Sequence, residues 1–386
     1  MNILISLDGI GYQTFEKYAD SFLNRGYSYC KKMMTTFPSV TFNAHATALT
    51  GNEDKKHSVF DNIVSHSKTL EKVVLYGDHQ ALCNQQLHEQ TLFSTLARQS
   101  FKSSCIHWPL TTDNPFVQHL VTESSSKKNN SIDESHAVYN LDTIALEETI
   151  ACIRSNQFDF IATRFVAYDS LSHQFGKDSK EAMESLTFLF DSVDKLEQTL
   201  VEQKKPFNII IFSDHGQSDV KSFFYPNERL FTSEWKEALL TNKVRFIGDG
   251  SGSLLFYSLL DEESNQKIMD DFTAMEEVRA FHILEGVNHS PFAPYGILDL
   301  QMNVCGEDFI PPEQPRYRNL KSLHGYDPLK IEEMNGFMIC KGDQIVENKI
   351  VPESNLIHLA PTIAKLFKTS HGSDGEVMKG FLKEHG

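Results

Sequence analysis

The sequence predicts an α/β three-layer sandwich, with a mostly parallel central sheet covered by helices on both faces and an inserted α+β cap. Three observations carry this. Short apolar runs rich in Ile, Val and Phe alternate with amphipathic helical stretches. Several of those runs end in polar residues of metal-ligating type. One long segment, residues 218–320, shifts to a Pro- and Gly-punctuated composition.

The candidate strands are Ile3–Leu7, Lys72–Leu75, Ser103–His107, Phe158–Thr163 and Phe207–Phe212. Such compact runs suit parallel strands buried on both faces. The clearest helix is Lys180–Gln203, where Ala182, Leu186, Leu189, Val193, Leu196 and Leu200 fall on one stripe and the charged residues fall elsewhere. A second helix is expected over Thr143–Ser155. Alternation of this kind implies right-handed crossovers. Ser124–Glu134 (SSSKKNNSIDE) is polar and low in complexity and reads as a surface loop. The segment after Asp219 carries Pro226, Asp249-Gly250, Ser251-Gly252, Pro291, Pro294 and Pro311-Pro312. It has its own strand–helix–strand signal over Ser253–Tyr257, Glu263–Met275 and Val278–Ile283. The expected division is a catalytic core in two parts, 1–217 and 321–386, with the cap 218–320 between them.

The 386 residues suffice for a large core. A formal net charge of −16 argues against a nucleic-acid polymer as partner. A small anionic substrate stays compatible, because bound divalent ions reverse the local field. No apolar run reaches transmembrane length, and Met1 leads straight into a strand with no basic region or cleavage site. The six cysteines, Cys30, Cys83, Cys105, Cys152, Cys305 and Cys340, form no CxxC pair and read as buried free thiols. Together these lead to the expectation of a cytoplasmic protein.

In open α/β sheets ligands bind beyond the carboxyl ends of the strands. There the sequence places Asp8-Gly9, then Asp169 and His173, then Asp214-His215-Gly216, with His324-Gly325-Tyr326-Asp327 far downstream. Singly, each has a structural explanation; Asp8, for instance, could cap a helix with Gly9 making the turn. Together, Asp8, Asp169, Asp214, His173, His215 and His324 supply ligands for two divalent ions. The segment from Phe37 to Gly51 adds a turn at Pro38 and a helix start. Unpaired N–H groups at a helix N-terminus suit a phosphate, and a hydroxyl there can attack phosphorus. On spacing alone Ser39, Thr41 and Thr47 compete for that role, against simple capping.

The segment resembles the nucleophile segment of the nucleotide pyrophosphatase/phosphodiesterases, within the alkaline phosphatase superfamily, and also that of phosphonoacetate hydrolases. Pro38, Thr41 and Thr50-Gly51 carry that resemblance. It implies an alkaline phosphatase-like fold with Thr41 as nucleophile. His57-Ser58-Val59-Phe60-Asp61-Asn62 is similar to the family's His-Gly-x-x-Asp-Asn, which implies that Asn62 meets a phosphoryl oxygen. Asp8-Gly9, Asp169-x-x-x-His173, Asp214-His215-Gly216 and His324-Gly325-Tyr326 resemble the family's metal motifs. By that likeness one ion takes Asp169, His173 and His324, and the other takes Asp8, Asp214, His215 and the Thr41 oxygen. Zinc suits the Asp/His set best, and manganese is compatible. His358-Leu359-Ala360-Pro361-Thr362-Ile363 looks like the superfamily's last core helix. The departures are Thr41-Phe42-Asn43-Ala44-His45, where the family has Thr-Phe-Pro-Asn-His, and Ser58 in place of Gly.

The likeness also bears on substrate. Alkaline monoesterases use a serine and a strong cation, whereas the matching group here is the neutral Asn62, which suits a singly charged diester. No sulfatase Cys-x-Pro-x-Arg segment occurs. His107-Trp108-Pro109-Leu110-Thr111 stands where phosphonoacetate hydrolases carry a lysine pair, and resembles the Trp-Pro segment of the nucleotide phosphodiesterases. Phe42 matches a position that stacks on a nucleobase, with plain core packing as the alternative; Phe116 or Tyr168 could complete a clamp. The expected activity is hydrolysis of a small phosphodiester or nucleotide through a phosphothreonine at two metal ions. Phosphonoacetate hydrolase-like or phosphomonoesterase activity is the alternative, and a catalytically silent nucleotide-binding module the remote one.

Overall fold

The alternation inside the first apolar run decides the architecture. Ile3, Ile5 and Leu7 pack into one buried cluster together with Leu186, Leu189, Val193 and Leu196 of the long helix. Leu4 packs into another, with Ala48, Leu49, Leu359 and Ile363. Ile209 and Ile211 repeat this against Ile210 and Phe212. Side chains alternate across a strand, so a run that turns apolar residues to both sides must be covered on both faces. The result is three layers.

In the computed structural model, which describes residues 1–76, 87–88, 90–130, 137–287 and 290–384, eight strands form the central sheet. They are β1 (Asn2–Leu7), β2 (Ser28–Met34), β3 (Ser103–Ile106), β4 (His119–Val121), β5 (Phe160–Phe165), β6 (Asn208–Phe212), β7 (Gly336–Gly342) and β8 (Ile350–Asn355). Their order is β8-β2-β7-β6-β1-β5-β3-β4. β1 pairs in parallel with β5 and β6, and β3 with β5 and β4. β7 alone is reversed, antiparallel to β6 and β2, while β8 runs parallel to β2. Thus the sheet is mostly parallel.

Lys72–Leu75 does not join this sheet. Lys72–Val74 pairs instead with Ile63–Ser65 in a two-stranded antiparallel ribbon. A run of three or four apolar residues does not specify which sheet receives it. Conversely, β2 and β8 read poorly as strands. β2 carries Lys31 and Lys32, and the Lys32 ammonium lies 2.7 Å from Glu353 on β8. β8 contains Pro352, tolerated because it is an edge strand.

The long helix spans Lys180–Glu202, and the Ser179 side chain accepts from the Ala182 N–H as its N-cap. The helix expected over Thr143–Ser155 begins earlier, at Ala137. The expected loop over Ser124–Glu134 is in part a helix, Glu123–Asn130; residues 131–134 lie outside the described residues. Thr122 and Ser125 hold its start by reciprocal side-chain-to-backbone bonds of 3.0 and 3.1 Å. Polar composition did not preclude a helix once its first turn was anchored.

Between β6 and β7 the chain builds smaller sheets. Val244–Ile247, Ser253–Ser258, Gly296–Leu300 and Val278–Ile283 form a four-stranded antiparallel sheet in that order. The helix Glu262–Thr273 packs on it through Ile268 and Phe272. Among the described cysteines, Cys30, Cys105, Cys152, Cys305 and Cys340 are buried and unpaired; Cys83 lies outside the described residues. No described helix is long and apolar enough to cross a membrane.

Candidate active site

The carboxyl ends of β1, β5 and β6 meet at one place. Asp8 follows β1 directly, and its N–H donates to Phe165 O at the end of β5. Asp214 and His215 follow β6, and Asp169 and His173 lie on the helix Ala167–Phe175 just after β5. Thr41 is the first residue of the buried helix Thr41–Thr50. This is the crevice position that open sheets offer to ligands.

Two carboxylate oxygens in the crevice have no hydrogen-bond partner although both are buried: Asp8 Oδ1 and Asp214 Oδ2. His215 Nε2 lies 3.5 Å from the first and 3.2 Å from the second. Thr41 Oγ1 is 3.2 Å from the same nitrogen. Close by, Asp169 Oδ1 is 3.4 Å from His173 Nε2 and 3.9 Å from His324 Nε2.

The imidazoles are oriented alike. His215 Nδ1 faces Gly216 O at 3.1 Å, His173 Nδ1 faces Ser322 O at 2.8 Å, and His324 Nδ1 faces Ser39 O at 3.0 Å. A carbonyl only accepts, so each Nδ1 carries a proton and each Nε2 is turned to the crevice, where it can serve as the ligand atom. That is how protein metal ligands are set. Orphaned buried carboxylate oxygens beside three inward-facing Nε2 atoms fit divalent cations.

The electrostatics agree. Burial pushes Asp8 up to about 7 against the pull of Arg164. Burial, and then the neighbouring Asp8, hold Asp214 well above the usual carboxylate range. Burial favours a neutral Asp169, but His173 overrides it and holds that carboxyl well below the usual range. In turn, Asp169 overcomes the burial of His173 and raises it to about 9. Burial lowers His215 to about 4. Carboxylates buried this closely need positive charge among them.

All seven residues expected as ligands are therefore brought together. Their grouping cuts across the division that the likeness implies. Ligand atoms of Asp169, His215 and His324 lie within 4.8 Å of one another, as do those of Asp8, His45 and Asp214. The rings of His215 and His324 stack at 3.8 Å, which explains the first set. In the second, His45 has both nitrogens engaged, Nδ1 with Thr41 O at 2.7 Å and Nε2 with Ser6 Oγ at 2.8 Å. It supports the site rather than offering a lone pair.

Asn62 and Phe42 line the same cavity, about 320 Å³, with Thr41, Asp169, His173 and His324. The Asn62 carboxamide oxygen accepts from the Phe42 N–H at 3.0 Å. Phe42 also packs with Ala46, Val59 and Phe60, so both readings of it hold in part. Tyr168 is sealed in the core and Phe116 packs against the other core face, so neither forms a clamp. The aromatics at the cavity are Phe42, Tyr76 and Tyr317. Ser58, where the family has Gly, sits at φ 63°, the left-handed conformation for which glycine is usual.

Sequence reasoning missed Gln217, Arg164 and Glu123. Gln217 Nε2 donates to Asp169 Oδ1 at 2.7 Å, and its Oε1 accepts from Ser322 Oγ. Gly9, at φ 76°, leaves room for both; a Cβ there would lie 2.8 Å from Asp169 Oδ1. Arg164 Nε and Nη2 each reach Asp8 Oδ2 at 2.6 Å, and Nη1 reaches Glu123 at 2.7 Å. A lone arginine near the end of a largely apolar strand was the available signal.

Fold and crevice together define an alkaline phosphatase-like α/β protein. The chain belongs to the family described as type I phosphodiesterase / nucleotide pyrophosphatase, whose sequence model matches residues 2–294. It is similar to human ectonucleotide pyrophosphatase/phosphodiesterase family member 1, 24% identical over 245 residues, covering 59% of this chain and 25% of that protein. It is also similar to a venom phosphodiesterase of Naja atra, 22% identical over 231 residues, covering 56% and 26% respectively. The chain thus matches about a quarter of the length of these relatives. Murine ectonucleotide pyrophosphatase/phosphodiesterase 5 superposes with a TM-score of 0.78 at 15% identity over 99% of both chains. An inactive threonine-to-alanine variant of that murine protein, in complex with AMP, gives 0.77 at 15% identity, again over 99% of both.

Proposed function

We propose that this chain hydrolyses phosphodiester or phosphoanhydride bonds of small nucleotide-type substrates, with Thr41 as the nucleophile. One observation carries the reading. A hydroxyl at the start of a buried helix lies 3.2 Å from His215 Nε2, beside the orphaned oxygens of Asp8 and Asp214. Asp8, Asp214, His215 and the Thr41 oxygen would hold one divalent ion, and Asp169, His173 and His324 another, zinc suiting the set best. Bound there, the ions supply Lewis-acid stabilisation of oxygen charge and lower the pKa of water and hydroxyl groups.

The residues divide the remaining work. Thr41 Oγ gives its proton to solvent and forms a bond to phosphorus as the bond to the leaving oxygen breaks, and that oxygen leaves with the electron pair and gains a proton from solvent. Water then forms a new P–O bond as the Thr41 Oγ–P bond breaks, and Thr41 regains its proton. The helix N-terminus presents its dipole to the phosphoryl oxygens. With its Oδ1 committed to the Phe42 N–H, Asn62 offers its amide N–H groups to the cavity. Phe42 and Tyr76 give an apolar wall for a base, and the segment 218–320 acts as the cap that limits substrate shape. The AMP held by the murine relative supports a nucleotide. The buried, unpaired cysteines suit a reducing compartment such as the cytoplasm.

Arg164 lines the same cavity and favours the monoester alternative. Turnover of p-nitrophenyl thymidine monophosphate, bis-p-nitrophenyl phosphate and p-nitrophenyl phosphate by zinc-loaded protein separates the readings. Chelator-sensitive preference for the nucleotide diester is expected, and preference for the monoester would overturn the substrate class. Thr41→Ala should abolish nearly all turnover while zinc still binds; full activity would remove Thr41 from the chemistry.

A further inference from the structure

Arg164 is a cation that the motifs leave unexplained. Its side chain is 9% exposed and is clamped between Asp8 and Glu123. It is the one lysine or arginine among the described residues lining the cavity that holds Thr41, and it also lines the neighbouring cavity beside Trp108. Glu123 stands on the first turn of its helix with a side chain 31% exposed. Lys127 approaches the other Glu123 oxygen at 3.7 Å from a side chain 57% exposed. So solvated a partner offsets little of the Glu123 charge.

The charge balance follows. Asp8, Asp169 and Asp214 bring three negative charges to the metal crevice, two divalent ions would bring four positive ones, and Asp61 and Asp249 line the wider cavity. Arg164 adds a further positive charge, which shifts the site towards a phosphomonoester dianion. Glu123, bonded to the far side of the same guanidinium, takes one away.

We propose that Glu123 is a specificity-determining residue. By cancelling the charge of Arg164 it sets the field of the cavity for a singly charged phosphodiester and against a doubly charged monoester. Arg164 is kept for another purpose: it fixes Asp8 Oδ2 and so aims Oδ1 into the crevice. The inference rests on the phosphodiesterase reading above.

Glu123→Gln keeps the oxygen that accepts from Arg164 and removes only the charge. In zinc-loaded protein the monoester-to-diester ratio of kcat/KM should rise about tenfold, the effect of one charge at about 8 Å in an effective dielectric of about 30. Arg164→Gln should lower the ratio, and the double variant, with wild-type net charge, should return it to within about threefold of wild type. Chelator competition on the metal-free protein gives a second readout: Glu123→Gln should bind zinc several-fold more weakly. An unchanged ratio, an unchanged zinc affinity, or a double variant no nearer wild type than the single ones overturns the proposal. Absence of diester turnover in the wild type would overturn the phosphodiesterase reading instead, and the zinc affinities would still test the charge pair.

Discussion

Gln217 is the residue through which the crevice can be loosened without touching a ligand. Its Nε2 donates to Asp169 Oδ1 at 2.7 Å, and its Oε1 accepts from Ser322 Oγ, which is buried. Gln217→Leu fills the space and removes both bonds. The bond to an ionised carboxylate is worth about 1.5–3 kcal/mol, and stranding the Ser322 hydroxyl costs about 1 kcal/mol more. Metal-free protein should therefore lose about 2.5–4 kcal/mol of stability, read from urea unfolding. Asp169 would also be freer to turn, and outer-sphere losses of this kind weaken metal binding about 10–100-fold. Chelator competition with zinc measures that directly. Ser322→Ala, which removes only the bond that orients Gln217, should fall between wild type and Gln217→Leu. Zinc affinity within about twofold of wild type, with stability reduced as expected, would show Gln217 to be a packing residue and refute the reasoning.

Gly9→Ala forces a Cβ to within 2.8 Å of Asp169 Oδ1 at φ 76°. The backbone cost is about 1–2 kcal/mol, and displacement of Asp169 should lower zinc affinity as well as the melting temperature. His173, raised to about 9, is protonated at neutral pH in the metal-free protein, so zinc must displace that proton. Calorimetry at pH 7.5 in buffers of different ionisation heat should show release of more than one proton, from His173 and from the raised Asp8 and Asp214 carboxyls, and zinc affinity should climb with pH until about 9. Asp54, away from the crevice, is pushed up to about 7 by burial. Between about pH 4 and 7 the native state keeps a proton that the unfolded chain has lost, so stability falls as pH rises. Asp54→Asn should remove this slope and gain about 2–3 kcal/mol relative to wild type between pH 5 and 8, measured by urea unfolding.

Legibility followed periodicity. The helix Lys180–Glu202 shows its buried stripe plainly because six apolar residues repeat at helical spacing, and every one of them is buried. Runs such as Ile209–Phe212 are apolar at each position and could only be covered on both faces. β2, with its paired lysines, and β8, with Pro352, have no such pattern, and neighbours in the sheet created them. The ligands were legible because strand ends place Asp and His in short motifs. Arg164, Glu123 and Gln217 were not, since each acts through a partner distant in sequence.

The sequence by itself determined the layers, the family likeness and which carboxylates and imidazoles are available, because strand alternation, helical spacing and the strand-end motifs are local properties of the chain. Tertiary structure alone decided which atoms face the crevice. The Nδ1 protons of His173 and His324 are fixed by carbonyls of Ser322 and Ser39, and Asp8 Oδ1 is left free because Arg164 occupies Oδ2. Hydrogen-bond direction and net local charge depend on groups far apart in sequence meeting at a few ångströms, and no local pattern encodes that distance.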